Sequence, residues 1–332
     1  MLRSRAEFFV AISRISARLP AFRGRTRIFL FLFDVLGLDG AHVEVRTRLR
    51  GKVPFEAWLD LHSWLQRIAY LTGGYEADTT EFLLRLGASV RREGYLLDIG
   101  ANVGLLAIPY AMAIERSSSD VRKPVVIAVE AVAANVDALR RNVALNAADN
   151  FIEVLDTALG DVEKDVEMQI EGDLHAGEGT GTANILPDHS TYECVRVPLH
   201  LSTLDRLMDS QLLPAGCSIV KTDTDGYDLK IMHGGRRFLA NSRPVIFGEF
   251  SAHCLKWHEQ SIGDIRQFAH ELDYLVWKRI GSSWAFSPDF DDATFVQDLL
   301  LVPSESADVF SWCLAPRQSV IAPTGVTAGI SG

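Results

Sequence analysis

The sequence predicts an α/β fold built on a doubly wound, mostly parallel sheet with helices on both faces. Three observations predict it. From Tyr95 onward, short apolar runs alternate with segments of helical period, the pattern of successive βαβ units. The run Val125-Val126-Ile127-Ala128-Val129-Glu130 is apolar without alternation, as a strand buried on both faces must be. The stretch YLLDIGANVGLLAIPYA, Tyr95 to Ala111, reads as a strand, a tight glycine loop and a helix. Such a loop grips nucleotide-like ligands at the C-terminal end of a strand.

The elements follow in order. Residues 1–40 read as one or two Arg-rich amphipathic helices, and 43–61 as short strands around Pro54. Residues 62–72 and 78–90 read as helices separated by Gly73-Gly74-Tyr75-Glu76. Strand 95–99 leads to helix 104–116, strand 125–130 to helix 133–147, with Val132, Val136, Leu139 and Val143 as its core stripe. Strand 152–156 follows, then a hairpin strand at 165–171 and a Gly-, Thr- and His-rich mobile loop at 172–192. Strand 195–200 leads into Ser202-Thr203-Leu204-Asp205, which caps helix 203–209. Strand 218–222 precedes helix 228–240, strand 244–249 precedes helix 261–272, and strands near 274–279 and 295–302 close the unit. The chain thus divides into an N-terminal extension at 1–70, the main domain at 71–314 and a disordered tail at 315–332.

Bulk properties narrow the function. The chain has 332 residues, is 48% hydrophobic and carries a net charge of −10. It can bury a real core, and its charge argues against a broad nucleic-acid surface. Residues 1–50 differ from the rest: ten Arg against four acids give them +6, leaving −16 elsewhere. That segment reads first as a helical cap on the main domain, and second as a peripheral contact with an anionic membrane surface. Cys194, Cys217, Cys254 and Cys313 show no C-x-x-C spacing. They read as buried thiols of a reducing, cytoplasmic compartment rather than zinc ligands.

In such sheets the ligand sits beyond the C-terminal strand ends, where the topology reverses. Those ends carry Asp98 to Gly104, Glu130, Asp156 to Ala158, Asp223 to Gly226, and Glu249. Gly100 and Gly104 permit a tight turn and close backbone approach. A dinucleotide fingerprint has glycine where this chain has Asn102, and a side chain there crowds a pyrophosphate. Asp98 repels phosphate but suits an ammonium or a sulfonium. Glu130 suits ribose hydroxyls. Together they favour S-adenosylmethionine over NAD.

LLDIGANVG, the upstream GGYEADTTEFL, VIAVEA, STLDRL, VKTDTDGYDLKIMHGG and PVIFGEF lie in this order over residues 70 to 250. On these motifs the chain resembles the FkbM family of methyltransferases. The resemblance implies a class I methyltransferase fold, a seven-stranded Rossmann-like sheet whose last strand is antiparallel. It also implies methyl transfer from S-adenosylmethionine to a hydroxyl of a small molecule, sugar or glycan. Asp98, Gly100, Asn102 and Gly104 match the family's cofactor loop, Glu130 its ribose acid, and Tyr75 and Glu76 its YE pair. Lys221, Asp223, Gly226 and Asp228 match its K-x-D-x-E-G-x-E stretch, with Asp225 and Asp228 where the family usually has Glu.

Transfer to a hydroxyl requires a positioned acceptor and a proton acceptor. Asp223 is the first candidate for base or acceptor anchor, Glu249 for orienting acceptor or base, and Lys221 for an active role or a simple ion pair. Asp223, Asp225 and Glu249 are also hard oxygen ligands for a divalent cation, a less favoured route. His233, His253 and His258 are alternative bases. Asp225 to Asp228 also fit helix capping. Tyr75 and Glu76 are expected to close over the cofactor, Asp156, Thr157 and Ala158 to flank adenine, and Asn135 to face solvent. An NAD-dependent oxidoreductase and a non-enzymatic binding or membrane-tethering module are the alternatives.

Overall fold

The structure is a computed structural model that describes residues 2–16, 24–38, 40–90, 94–117, 124–171, 183–185, 194–281, 283–286, 296–310 and 312–313. Most of the loop expected at 172–192 and the tail expected from 315 lie outside the described residues.

The N-terminal segment forms two helices, α1 (Leu2–Ser16) and α2 (Arg25–Val35). Their inner faces are aromatic. Phe9 meets Phe29 and Phe33 edge-on, with ring centroids 6.0 and 5.1 Å apart, and all three are buried. These rings pack the two helices against each other. A hairpin of β1 (Glu44–Leu49) and β2 (Phe55–Asp60) follows, then α3 (Trp64–Thr72) and α4 (Ala77–Ser89). Arg67 of α3 lays its guanidinium over Phe33 of α2, 4.0 Å from the ring centroid.

The main unit begins with β3 (Tyr95–Ile99), α5 (Ala107–Ser117), β4 (Val126–Glu130), α6 (Ala133–Leu145) and β5 (Ile152–Asp156). Helix α5 starts three residues later than expected. Gly104 has φ 86°, a left-handed conformation that a right-handed helix cannot contain. Pro109 is the third residue of α5 and sits in the first turn, where its missing N–H costs nothing.

A small sheet comes next, from β6 (Ala158–Leu159), β7 (Lys164–Glu171), β8 (Ala183–Asn184) and β9 (Cys194–Ser202), ordered β6-β9-β7-β8. Helix α7 (Leu204–Asp209) is capped by Thr203, whose side chain accepts from the Arg206 N–H. After β10 (Cys217–Thr222), the helix expected at 228–240 is two: α8 (Asp228–His233) and α9 (Arg236–Ser242). The break lies at Gly234, where a Cβ would stand 2.0 Å from the Gly160 carbonyl oxygen; only glycine allows that backbone contact.

The chain continues through β11 (Val245–Ser251), α10 (Ala252–Trp257), α11 (Ile262–Glu271), β12 (Tyr274–Ile280), β13 (Ser283–Phe286) and β14 (Val296–Pro303). The main sheet runs β13-β12-β14-β11-β10-β3-β4-β5. Strands β11, β10, β3, β4 and β5 are parallel, and β14 is antiparallel to both β11 and β12. The expected seven strands and antiparallel last strand are present. An eighth, β13, is added as a hairpin on edge strand β12.

One face of this sheet shares its core with the N-terminal segment: Phe9, Phe33, Leu49 and Leu59 belong to one apolar cluster with Leu96, Val126, Leu139 and Ile219. Polar groups weld the hairpin on as well. Buried Asn142 of α6 accepts from the Trp58 N–H at 2.8 Å and donates to the Trp58 carbonyl at 3.2 Å and the Val103 carbonyl at 3.0 Å. Asn146 repeats the exchange with Glu56. Two amides thus complete the free edge of β2 as a strand would.

Candidate active site

The topology reverses between β3 and β10: β4 lies on one side of β3, and β10, reached much later in the chain, lies on the other. A cavity of about 470 Å³ opens there, within the usual size for small-molecule and cofactor sites.

The loop after β3 has one consistent purpose. A Cβ on Gly100 would lie 2.1 Å from the Asp223 carbonyl oxygen, so Gly100 lets the loops after β3 and β10 touch. Asn102 takes a left-handed φ of 50°, which asparagine tolerates better than most residues. Its Oδ1 accepts from the Val103 N–H at 2.8 Å, and its own N–H donates to Glu130 Oε2 at 2.8 Å. Glu130 Oε1 accepts from the Val132 N–H at 2.9 Å and from Asn135 Nδ2 at 3.3 Å. Glu130 therefore ties the loop to the start of α6 while facing the cavity. Burial pushes its carboxyl upward, against the lowering by these donors.

Adjacent strands deliver the charged pair. Asp98 and Lys221 are direct register partners on β3 and β10, and Lys221 Nζ stands 3.4 Å from Asp98 Oδ1. At that distance charge attraction outweighs a long hydrogen bond between them. Burial pushes the Asp98 carboxyl up, and Lys221 pulls it back only in part. Burial alone would lower the Lys221 ammonium, but the Asp98, Asp223 and Glu76 carboxylates outweigh it and hold it above its ordinary value. Lys221 also reaches the Gly100 carbonyl at 3.4 Å and Asp223 Oδ2 at 3.5 Å. Both readings of Lys221 meet here: it is a cross-sheet ion pair and it lines the cavity.

Carboxylates dominate the acceptor side. Asp223, Asp225, Glu249 and Glu76 line the same cavity. Glu249, at the end of β11, is pushed up to about 7, by the protein packed around its carboxyl and then by the charges of Asp223, Asp298, Glu76 and Asp225. The Tyr75 phenol is held well above its usual value by burial and by Glu76, Asp223 and Glu249. Among the described residues, no group of three or more His, Cys, Asp or Glu is arranged to hold a metal ion.

Of the residues singled out in the sequence, Tyr75, Glu76, Asp98, Gly100, Asn102, Glu130, Ala158, Lys221, Asp223 and Glu249 line this one cavity. Two do not. Asp156 is exposed at the end of β5, and its neighbours Thr157 and Ala158 face the cavity instead. Gly104 serves packing: a Cβ there would meet Leu139 Cδ1 at 2.6 Å. Asp228 is structural. Fully buried, it accepts from Thr222 Oγ1 at 2.6 Å, the Thr224 N–H at 3.1 Å and the Gly226 N–H at 3.2 Å, pinning the loop that carries Asp223. His233, His253 and His258 lie outside the cavity lining, and burial beside Lys230 and Lys164 lowers His258 to about 4. Asn135 does not face solvent: it is buried, because Glu130 needs its amide. Residues the sequence did not disclose are Trp64, Leu65 and Ile68 on α3, and Met168, Ile185 and Leu199 from the small sheet.

The methyltransferase FkbM domain profile matches residues 98–276, more than half of the chain. The chain belongs to the FkbM methyltransferase family. Membership agrees with the motif resemblance and implies S-adenosylmethionine as methyl donor. Among solved structures, the FkbM methyltransferase from Methylobacillus flagellatus KT is similar at 16% identity and a TM-score of 0.39, over 63% of this chain and 44% of that one. This chain thus spans less than half of that relative's length. Precorrin-6y C5,15-methyltransferase from Geobacter metallireducens GS-15 is similar at 14% identity and a TM-score of 0.35, over 68% of this chain and 87% of that one. Ribosomal protein L11 methylase from Lactobacillus delbrueckii subsp. bulgaricus gives 13% and 0.36, over 68% and 78%. Likeness at these levels says nothing of the substrate. No curated protein matches the chain. No helix among the described residues is long and apolar enough to cross a membrane.

Proposed function

We propose that this FkbM domain transfers the methyl group of S-adenosylmethionine to a hydroxyl oxygen of a small molecule, sugar or glycan. One observation carries the reading: a single cavity joins the glycine loop and Glu130 to the carboxylates of Asp223 and Glu249. The donor side fits the cofactor. Asp98 presents a buried carboxylate at the cavity, with Lys221 beside one of its oxygens, and its charge suits a cationic group. Glu130 offers a carboxylate where ribose hydroxyls would lie, and Thr157 and Ala158 offer backbone to an adenine. Asn102 puts a side chain where a dinucleotide loop has glycine, which supports this reading over a dinucleotide one.

When bound, S-adenosylmethionine supplies a methyl group made electrophilic by its sulfonium. Asp223, just past the end of β10, would anchor the acceptor hydroxyl toward that methyl. Glu249, raised to about 7, is half ionised near neutrality and accepts the hydroxyl proton as the oxygen–carbon bond forms. Transfer would leave the carbon–sulfur electron pair on sulfur, so the residues here need only place the acceptor and take its proton. Lys221 pairs with both Asp98 and Asp223 and bridges the loops after β3 and β10. Incubation with methyl-labelled S-adenosylmethionine and a panel of sugars, glycans and macrolide alcohols tests the reading. Label in an ether-linked methyl supports it. Label on nitrogen or carbon only would replace O-methylation by another methyl transfer.

A further inference from the structure

The N-terminal helices bury one face and leave another bare. Phe9, Phe29 and Phe33 fill the inner side. On the outer side, Phe8 and Ile15 of α1 are 52% and 60% exposed, and Ile28, Phe31 and Val35 of α2 are 53%, 70% and 64% exposed. The spacings are seven residues on α1, and three then four on α2, so each set forms a stripe on its helix. Trp64, at the start of α3, is 62% exposed and also lines the cavity. These six make up most of the large exposed apolar residues among the described residues. Gathering them in one segment is unusual for a face that meets only water.

The charge around the stripes is positive. Arg5, Arg14 and Arg25 donate to the carbonyls of Leu36, Arg46 and Leu71 rather than to carboxylates, so their charges are not neutralised by acids. Arg27 adds another exposed cation. The net +6 of residues 1–50 contrasts with −16 on the rest of the chain. Apolar stripes flanked by Arg, on helices too short to span a bilayer, match an interfacial helix on anionic lipid. An acidic protein partner would also answer the arginines. The aromatic and branched aliphatic side chains between them fit an acyl–headgroup boundary better.

We propose that the outer face of α1 and α2 docks on an anionic bilayer surface. Phe8, Ile15, Ile28, Phe31 and Val35 enter the interface, Arg5, Arg14, Arg25 and Arg27 face the headgroups, and Trp64 brings the rim of the cavity to the membrane. This docking does not depend on the methyl-transfer reading, and S-adenosylmethionine binding measured on the same protein keeps the two apart.

The test is co-sedimentation of the full chain with vesicles of phosphatidylcholine alone and of phosphatidylcholine with an equal part of phosphatidylglycerol. The chain should pellet with the anionic vesicles, be released by high salt, and stay in solution with the neutral ones. Ile28→Ser with Phe31→Ser should lower binding by about fivefold or more, with thermal unfolding unchanged because both side chains are exposed. Arg27→Gln with Arg14→Gln should weaken the salt dependence, with the fold checked by circular dichroism. Brominated lipid should quench tryptophan fluorescence in wild type and less in Trp64→Phe. Equal pelleting of wild type and the Ile28/Phe31 variant overturns the proposal, as does no pelleting of wild type. A solution dimer that the Ile28/Phe31 variant splits also overturns it, by assigning the face to a second copy of the chain.

Discussion

Replacing Lys221 by Met leaves Asp98 without its cation. The Lys221 side chain is 9% exposed and that of Asp98 1%, so water cannot take the cation's place. Breaking a buried pair from one side costs about 3–5 kcal/mol, because the remaining charge is stranded. The second pair, to Asp223, adds little, since that carboxylate is 40% exposed and such pairs contribute roughly 0.2–1 kcal/mol. The loss should therefore depend on whether Asp98 is ionised. Burial already holds its carboxyl above the ordinary value, and Lys221 is what opposes that rise. In the variant the folded-state value climbs further, while the unfolded value stays at about 3.9. A carboxyl raised on folding keeps its full stability contribution below the unfolded value and loses it as pH rises through the folded value. Urea unfolding at pH 5 and pH 8 should show a smaller deficit at the acid end and about 3 kcal/mol or more at the alkaline end. Asp98→Asn in the Lys221→Met background should recover most of it. An equal deficit at both pH values, or a double variant no more stable than the single one, would refute the buried pair as the cause.

Other outcomes follow from the same geometry. Asp223→Ala should leave S-adenosylmethionine affinity unchanged in calorimetry and slow methyl transfer by about a hundredfold. Because Glu249 sits at about 7 and must be ionised to accept a proton, kcat should rise with pH through neutrality and level off above it; Glu249→Gln should be slow and lose that limb. Asn142→Ala removes the partners of both Trp58 backbone groups and of the Val103 carbonyl. Leaving buried groups unpaired should lower stability by about 2–3 kcal/mol, read by denaturant unfolding. Phe33→Ala opens a hole beneath Arg67 and Phe9 and should cost about 3–5 kcal/mol, in one cooperative transition because the cap and the sheet share a core.

The parallel sheet was legible because its strands are short apolar runs between helices of clear period, and β3, β4 and β5 lie within a residue of expectation. Errors gathered where local signals lose to contacts distant in sequence. The break between α8 and α9 falls at Gly234-Gly235, a pair that the apolar period of 228–240 outweighed, and the Gly160 carbonyl packed on Gly234 holds it there. The late start of α5 was visible in Gly104 and Pro109, two signals that the apolar periodicity masked. At the site, strand ends were a good guide for Asp98, Asp223 and Glu249, while Lys221 came from the family motif and stands beside Asp98 by register. Asp156 failed because its side chain leaves β5 on the exposed side, while Thr157 and Ala158, beyond the strand end, line the cavity. Asn135 was missed because its partner is the Glu130 carboxylate, a contact that polarity alone does not reveal. The α3 wall, with Trp64, Leu65 and Ile68, reaches the cavity only through tertiary packing.

The central claim, a S-adenosylmethionine site built on the loop after β3 and on Glu130, is tested most directly by calorimetric titration. S-adenosylmethionine, S-adenosylhomocysteine and NAD would each be titrated into wild type and Glu130→Ala. The first two should bind wild type, NAD should not, and the variant should lose at least about tenfold in affinity, or 1.4 kcal/mol, while remaining folded by circular dichroism. Binding of NAD alone, or unchanged S-adenosylmethionine binding in Glu130→Ala, would contradict the site as described.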